Sequence, residues 1–151
     1  MKKLLIFIAA LALVGMGLAA DGAQVYAQCA GCHQTTGQGI AGAFPPLAKE
    51  LPRIVSKGEA GRQYLIQVVL FGLQGPIVAQ GKTYNGVMPS FGYLSDDDLA
   101  AVLNHVLTAW GNDKLLPKGF KPLTAAEVKA LRAKALTPQQ VYESWKKLDL
   151  K

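Results

Sequence analysis

A pentapeptide near the N-terminus, Cys29-Ala30-Gly31-Cys32-His33, places two thiols and an imidazole within one helical turn. Side chains three and four residues apart lie on the same face of a helix, so Cys29, Cys32 and His33 would point to one side. This spacing predicts covalent haem attachment, in which the cysteines form thioethers with the two vinyl groups and His33 binds the iron. A thioredoxin-like dithiol and a chance match are the alternatives, but neither accounts for the histidine directly after the second cysteine.

A second iron ligand can be sought by elimination, because few residues could fill that role. Beyond the apolar leader, the chain contains one methionine, Met88, and one histidine besides His33, namely His105. Asn85-Gly86 favours a turn and Pro89 keeps Met88 extended, so a loop could aim its sulfur inward. His105 falls off the apolar face of its predicted helix and should face solvent. We therefore predict His33 and Met88 as the axial ligands, with a core-filling role for Met88 as the alternative.

The N-terminus has the features of an export signal. Met1-Lys2-Lys3 is basic, Leu4 to Leu18 is almost wholly apolar, and small residues follow. We predict a signal peptide over residues 1–20 that is cleaved after Ala19 or Ala20, and therefore a periplasmic protein. A retained membrane anchor is the alternative, although the apolar run is short for a spanning helix, which needs about 20 residues.

The formal charge of +6 is distributed unevenly along the 151 residues. Residues 21–113 hold five basic and seven acidic side chains, whereas residues 114–151 hold nine basic and three acidic ones. We therefore divide the exported chain into a haem domain, residues 21–113, and a basic C-terminal tail, residues 114–151. Nucleic-acid binding is not expected, because the chain is exported and lacks a surface rich in aromatic residues and arginine.

Hydrophobic periodicity and capping residues predict a mostly helical haem domain. Ser95 is a suitable N-cap and is followed by three aspartates, which the dipole of a helix favours in its first turn. The stretch Ile77–Lys82 fits a short strand or a hairpin before Tyr84–Phe91, which contains Met88 and which we name the methionine segment. Helices are predicted at Ala23–His33, within Leu47–Val55, at Arg62–Leu73 and at Ser95–Trp110.

The tail has helix signals of its own. Thr124 with Glu127, and Thr137 before Pro138, read as N-caps of two short helices. We expect these helices to wrap over the haem domain and to stabilise it. A disordered basic arm, or a segment that adsorbs to anionic lipid, is the alternative, so membrane association is expected to be weak or to depend on partners.

From Gly22 to Trp110 the chain resembles the bacterial class I cytochromes c. After the haem motif, Phe44-Pro45-Pro46-Leu47, the segment Tyr84–Phe91 and the helix start at Leu94–Ala100 follow in the family's order. The resemblance implies an all-α fold around one covalent haem c, plus a C-terminal helical extension. It also implies that the Pro45 carbonyl accepts a hydrogen bond from His33 and that the N-terminal helix crosses the Ser95 helix.

The tail motifs Phe120–Thr124 and Leu136–Val141 extend the resemblance to respiratory members of the family. This implies a monomeric carrier of single electrons, not an enzyme, that works between a cytochrome-containing quinol-oxidising complex and a terminal cytochrome c oxidase. A haem sensor or peroxidase-like enzyme from which Met88 dissociates is one alternative. An electron-input subunit held in a larger complex is another, and it would need a large exposed apolar patch.

The docking surface can be predicted from charge. The range Gln24–Ala48, which should frame the exposed haem edge, contains no lysine or arginine, and only Lys82 lies near the methionine segment. We therefore predict an apolar docking surface and encounters with modest salt sensitivity. The residues expected to form it are Ala30, Ile40, Ala41, Ala43, Phe44 and the segment around Val87.

Overall fold

The computed structural model describes residues 20–150, and these are mostly helical. The predicted leader, apart from Ala20, lies outside the described residues. Within residues 20–150, no helix combines the length and the hydropathy that a membrane span requires. The helices are α1 (Gly22–Tyr26), α2 (Ala30–His33), α3 (Leu51–Val55), α4 (Glu59–Phe71), α5 (Asp96–Thr108), α6 (Ala125–Arg132) and α7 (Pro138–Lys147), and a 3₁₀ segment covers Ala109–Leu115.

Four short strands form two antiparallel pairs between α4 and α5. Strands β2 (Ile77–Ala79) and β3 (Lys82–Tyr84) make the predicted hairpin, and β1 (Leu73–Gln74) pairs with β4 (Val87–Met88) outside it. The hairpin turns at Gln80-Gly81, where φ is 48° and 73°, as a two-residue turn between twisted strands requires.

The prediction of a turn at Asn85-Gly86 is wrong. These two residues join β3 to β4 directly, and neither has a positive φ. The sharp reversal is already made by Gln80-Gly81, so the chain can run straight on into β4.

The single helix predicted at Ala23–His33 is two helices separated by a turn. Asp21 caps α1 by accepting a hydrogen bond from the Ala23 amide at 2.9 Å. The amides of residues 27–29 then bond to carbonyls three residues back, which tightens the chain and ends α1. This break allows Tyr26 to face α5 while His33, further along the chain, faces a different part of the interior.

The crossing of α1 over α5 is present and very close. A Cβ atom on Gly22 would lie 2.2 Å from the Ala101 carbonyl oxygen, so only glycine permits this approach. Tyr26 is buried there, with its ring centroid 5.7 Å from that of His105 and 5.1 Å from that of Trp110. His105 is therefore half-buried against aromatic rings and does not face solvent, because α1 covers that side of α5.

Helices α4 and α5 form the centre of the core. Helix α5 begins at the predicted N-cap, where the Ser95 hydroxyl accepts a bond from the Asp98 amide at 3.0 Å. Helix α4 begins earlier than predicted and ends at Phe71, where Gly72 with a φ of 79° is the C-cap. Leucine, isoleucine and valine side chains of both helices are buried, including Ile66, Leu70, Leu99 and Leu107.

The tail helices pack on this core. Both predicted caps are present as complete capping boxes, Thr124 with Glu127 on α6 and Thr137 with Gln140 on α7. Helix α6 packs against α4 and α5, and α7 packs against α4 and β1. The side chains that the tail buries are Leu123, Val128, Leu131, Val141, Leu148 and Leu150.

Candidate functional site

The two cysteines and His33 line the same cavity. The His33 amide donates to the Cys29 carbonyl at 2.9 Å, which closes the helical turn that brings the three side chains together. Burial, followed by the neighbouring Cys32 thiol, raises the pKa of the Cys29 thiol. Cys29 therefore lacks the lowered pKa that marks the nucleophile of a thioredoxin-like dithiol.

His33 is oriented by a single hydrogen bond. Its side chain is nearly buried, with 8% of the residue exposed, and its Nδ1 lies 2.9 Å from the Pro45 carbonyl oxygen. A carbonyl only accepts, so Nδ1 carries the proton and the lone pair of Nε2 is free for a metal. Burial lowers the pKa of His33 more than the bond to Pro45 raises it. The imidazole is thus neutral and ready to act as a ligand.

The loop that carries Pro45 is fixed from both ends. The Gly37 carbonyl accepts bonds from the Leu47 amide at 2.7 Å and the Ala48 amide at 2.9 Å. The Trp110 indole donates to the Thr35 carbonyl at 3.0 Å and covers Gly37, where a Cβ atom would be 2.4 Å from the ring. These contacts hold the Pro45 carbonyl at the position that orients His33.

Met88 reaches the same cavity from an extended segment, as predicted. It is half-buried in β4, where it pairs with Leu73. A Cβ atom on Gly72 would lie 2.5 Å from the Met88 carbonyl oxygen, so the backbone just after α4 lies directly against the backbone of the methionine segment. On the other side, the Ser90 hydroxyl donates to the Leu70 carbonyl at 2.6 Å, and the Phe91 amide donates to the Val69 carbonyl at 2.8 Å.

The cavity is large, apolar and partly open. About 1120 Å³ lies between its lining atoms, including space that opens to solvent. All five predicted site residues, Cys29, Cys32, His33, Pro45 and Met88, line it. An apolar cavity lined by two thiols, a neutral imidazole and a thioether fits haem, because soft sulfur and imidazole are the donors that haem iron accepts. Apolar side chains that complete the wall include Phe44, Leu51, Ile54, Leu65, Val68, Leu73, Ile77 and Phe91.

One corner of the cavity is polar, and sequence reasoning missed it. Glu50 is buried and forms an ion pair with Arg53, while the Gln80 amide donates to its second oxygen at 3.3 Å. Burial, followed by the nearby Glu50 carboxylate, raises the pKa of Tyr64. The Glu50 charge is thus compensated inside the wall by partners from α3 and from the hairpin turn.

The tail also contributes to the site. Trp145 of α7 lines the cavity, and its ring stacks on Tyr142 with centroids 5.9 Å apart. The Tyr142 ring in turn covers Gly75, where a Cβ atom would lie 2.6 Å from it. The tail helix therefore forms part of the cavity wall, which the helical spacing of Val141 and Trp145 alone could not reveal.

Comparison with known proteins agrees with this geometry. The sequence model of the cytochrome c family, described as "Cytochrome c", matches residues 19–110. The chain is 62% identical over 152 residues to a cytochrome c-552 of Thermus thermophilus, and this alignment covers 100% of both chains. A second cytochrome c-552 of Thermus thermophilus is 64% identical over 132 residues, which is 87% of this chain and 99% of that protein.

A more distant relative is the cytochrome c subunit of gluconate 2-dehydrogenase from Pantoea cypripedii. It is 37% identical over 114 residues, which is 74% of this chain but only 24% of that protein. Family match, full-length identity and helical fold agree with the predicted resemblance. The chain therefore belongs to the cytochrome c family and is a monohaem electron carrier with covalently attached haem c.

Proposed function

We propose that Cys29 and Cys32 hold the haem through thioethers, that His33 and Met88 are its axial ligands, and that the protein carries electrons in the periplasm. Its donor is a cytochrome-containing quinol-oxidising complex, and its acceptor is a terminal cytochrome c oxidase. The observation that carries this proposal is the pairing of His33, oriented by the Pro45 carbonyl at 2.9 Å, with Met88 on the wall of the same cavity.

His33 would keep one orientation and one tautomer throughout a redox cycle. The bond from Nδ1 to Pro45 fixes the ring and leaves Nε2 as the donor atom. Because the loop that carries Pro45 is tied to Gly37 and Trp110, the imidazole needs little movement when the charge of its partner changes. Small movement is what a fast electron carrier requires.

Met88 would be presented by contacts at its own position and just after it. Met88 pairs with Leu73 in the strand ladder, and the bonds from the Ser90 hydroxyl and the Phe91 amide to α4 follow it. The bound haem supplies a one-electron couple between Fe(III) and Fe(II). A thioether ligand and an apolar wall both favour the ferrous state, so a comparatively positive reduction potential is expected.

Two adjoining loops support an apolar docking surface at the cavity mouth. Ile40 is 43% exposed and Val87 is 63% exposed. Ala43 and Val87 both line the cavity, and a Cβ atom on Gly86 would lie 3.4 Å from the Ala43 carbonyl oxygen. The loop around Ile40 and the methionine segment thus form one rim, which we name the apolar rim. No lysine or arginine occurs between Gln24 and Ala48.

The periplasmic location rests on the predicted signal peptide and on the chemistry of attachment, which takes place outside the bacterial cytoplasm. A monomer with only weak membrane association follows from the proposed role as a diffusing carrier. The dehydrogenase subunit from Pantoea cypripedii keeps the alternative of a subunit in a larger complex open, but this chain covers only 24% of that protein.

Carbon monoxide binding and electron transfer test the proposal together. The reduced, haem-loaded protein should bind carbon monoxide slowly or not at all, because both axial positions are filled, and should reduce an oxidase-containing membrane fraction rapidly. Rapid carbon monoxide binding without oxidase reduction would support a sensor or peroxidase-like enzyme instead.

The apolar rim is tested by salt and by charge. The rate of electron transfer to the oxidase should change little between low and moderate ionic strength, whereas Val87→Asp should lower it many-fold. A steep loss of rate with salt would contradict apolar docking. Leu115→Asp, at another exposed apolar residue, which does not line the cavity, is the matched control and should leave the rate unchanged.

A further inference from the structure

The segment after Met88 is held at three points, and the third comes from the tail. Ser90 and Phe91 bond to the last turn of α4. Residues 92–95 then lead to α5, and Arg132, the last residue of α6, reaches them from a position about 40 residues further along the chain. The tail is thereby attached to the segment that presents Met88.

Arg132 uses all parts of its guanidinium in this attachment. Nη1 donates to the Gly92 carbonyl, Nη2 donates to the Leu94 carbonyl at 2.9 Å, and Nε donates to an Asp96 carboxylate oxygen at 2.8 Å. The side chains of Arg132 and Asp96 are 33% and 25% exposed, so these bonds are partly shielded from water. A planar fork that satisfies three acceptors at once fixes their spacing, which a lysine could not do.

The rest of α6 makes Arg132 a firm anchor. Val128 is fully buried and Leu131 is 6% exposed, so the helix cannot move without opening the core. Arg132 itself does not line the cavity, and any effect on the haem must therefore pass through the segment from Met88 to Leu94.

We propose that Arg132 is a positioning residue that keeps the Met88 segment closed and thereby holds the Met88 sulfur on the iron. The proposal rests on Met88 ligation as proposed above. It assigns the tail a second role besides stability, namely to limit how often the sixth coordination position opens.

A matched control exists at the other end of α6. Arg62 of α4 also ties the tail to the haem domain, through Glu127 at 2.7 Å and through the carbonyls of Lys121 and Pro122. Arg62 does not line the cavity, and these partners are residues of the tail and not the stretch from Met88 to Leu94 that Arg132 holds. Arg62→Ala and Arg132→Ala therefore each remove a guanidinium with one carboxylate and two carbonyl partners, but only Arg132→Ala frees the Met88 segment.

The experiment uses the full-length, haem-loaded protein. Carbon monoxide binding to the reduced form is timed well below the unfolding temperature, and the far-red sulfur-to-iron band of the oxidised form is followed on heating. We expect Arg132→Ala to speed carbon monoxide binding about tenfold and to lose the band before helix unfolding begins, because two charge-assisted bonds to the segment are lost. Arg62→Ala should lower the melting temperature without either effect.

Two further variants sharpen the test. Asp96→Asn keeps the bonds from Arg132 to Gly92 and Leu94, so carbon monoxide binding should stay close to the wild-type rate. Arg132→Lys should give an intermediate rate, and it provides the comparison if Arg132→Ala does not fold.

Equal carbon monoxide rates in the Arg132 and Arg62 variants, with the far-red band present in the wild type, would overturn this inference alone. A wild-type protein without that band would overturn Met88 ligation and this inference with it.

Discussion

The region that the cytochrome c family model matches, residues 19–110, differs sharply from the tail that follows it. The first region contains every residue proposed to touch the haem iron or its vinyl groups, and, among the described residues, it supplies all of the cavity lining except Trp145. The tail contains no cysteine, histidine or methionine. It nevertheless supplies Trp145 to the cavity wall, Arg132 to the methionine segment and Glu127 to Arg62.

Residues that do the chemistry and residues that hold them in place can therefore occupy separate parts of one chain. Ligands must be of a few types at fixed spacing, so they concentrate in motifs. Supporting residues only need to reach the right place, and the tail does so through helices that are capped locally and packed at long range.

Removal of the tail should have the largest effect. Truncation after Asn112 removes six buried apolar side chains and exposes the surface that they cover. Burial of each of these side chains contributes roughly 1.5–3 kcal/mol to the free energy of unfolding. We expect the melting temperature to fall by more than about 15 °C, measured by far-UV circular dichroism on the haem-loaded protein. An unchanged melting temperature would exclude the stabilising role of the tail.

Asn112 lies at the junction between the two regions, and we expect its replacement to cost more stability than any other single substitution that we propose. Asn112 is fully buried, where its Oδ1 accepts from the Lys49 amide at 2.6 Å and its Nδ2 donates to the Val106 carbonyl at 2.7 Å. Asn112→Ala leaves these groups unpaired and should lower the free energy of unfolding by about 2–4 kcal/mol. Denaturant titration measures this loss.

Asn104→Ala is the matched comparison for that substitution. The Asn104 amide makes two bonds of 2.8 Å with the Leu123 backbone, but it is only half-buried. A loss of about 1–2 kcal/mol is expected. If both variants lose the same free energy, burial is not what makes Asn112 costly to replace.

Trp145 should affect the reduction potential of the haem although it lies far along the chain from the proposed ligands. Trp145→Ala opens the cavity wall to water, which stabilises the ferric charge and should lower the reduction potential by a few tens of millivolts. Trp145→Phe should leave the potential near the wild-type value. Redox titration of the three proteins decides, and an unchanged potential in the alanine variant would show that α7 does not keep water from the haem.

The smallest effect concerns the pH dependence of the bond between Arg62 and Glu127. Burial by itself would raise the pKa of Glu127, but bonds from Arg62 and Thr124 outweigh it and lower the pKa. A lowered pKa in the folded state means that this stabilisation is present above the unfolded pKa of about 4.3 and is lost as the pH falls through the folded value.

The side chain of Glu127 is 32% exposed, so solvent screening limits the contribution to less than about 1 kcal/mol. Glu127→Gln should reduce the loss of stability between about pH 5 and pH 3 by that amount. A wild-type-like acid profile in this variant would show that Glu127 does not titrate with unfolding.

Local signals predicted much of the fold. The Ser95 cap, both capping boxes of the tail and the hairpin before the methionine segment depend on residues a few positions apart, and all are present. The hydrogen bond from His33 to the Pro45 carbonyl was implied by family resemblance, and it is also present. The roles of the five site residues stay predictions, which the cavity supports.

Features that depend on distant partners could not be predicted. Strand β1 has two residues and pairs with β4 across the hairpin, which leaves no periodic pattern. Asn112 bonds to an amide 63 residues away, and Arg132 bonds to an acid 36 residues away. The prediction that His105 faces solvent was wrong for the same reason. Helical periodicity describes α5 alone and takes no account of α1, which covers that side of α5.

The proposed electron-carrier function depends on iron ligation by both His33 and Met88. The most direct test is the absorption spectrum of the periplasmically matured protein and of Met88→Ala in both oxidation states. We predict that the wild type shows the weak far-red band of a bond between sulfur and ferric iron, and that Met88→Ala loses this band and has a lower reduction potential. A wild-type spectrum without the band, or one that the substitution does not change, would contradict the claim.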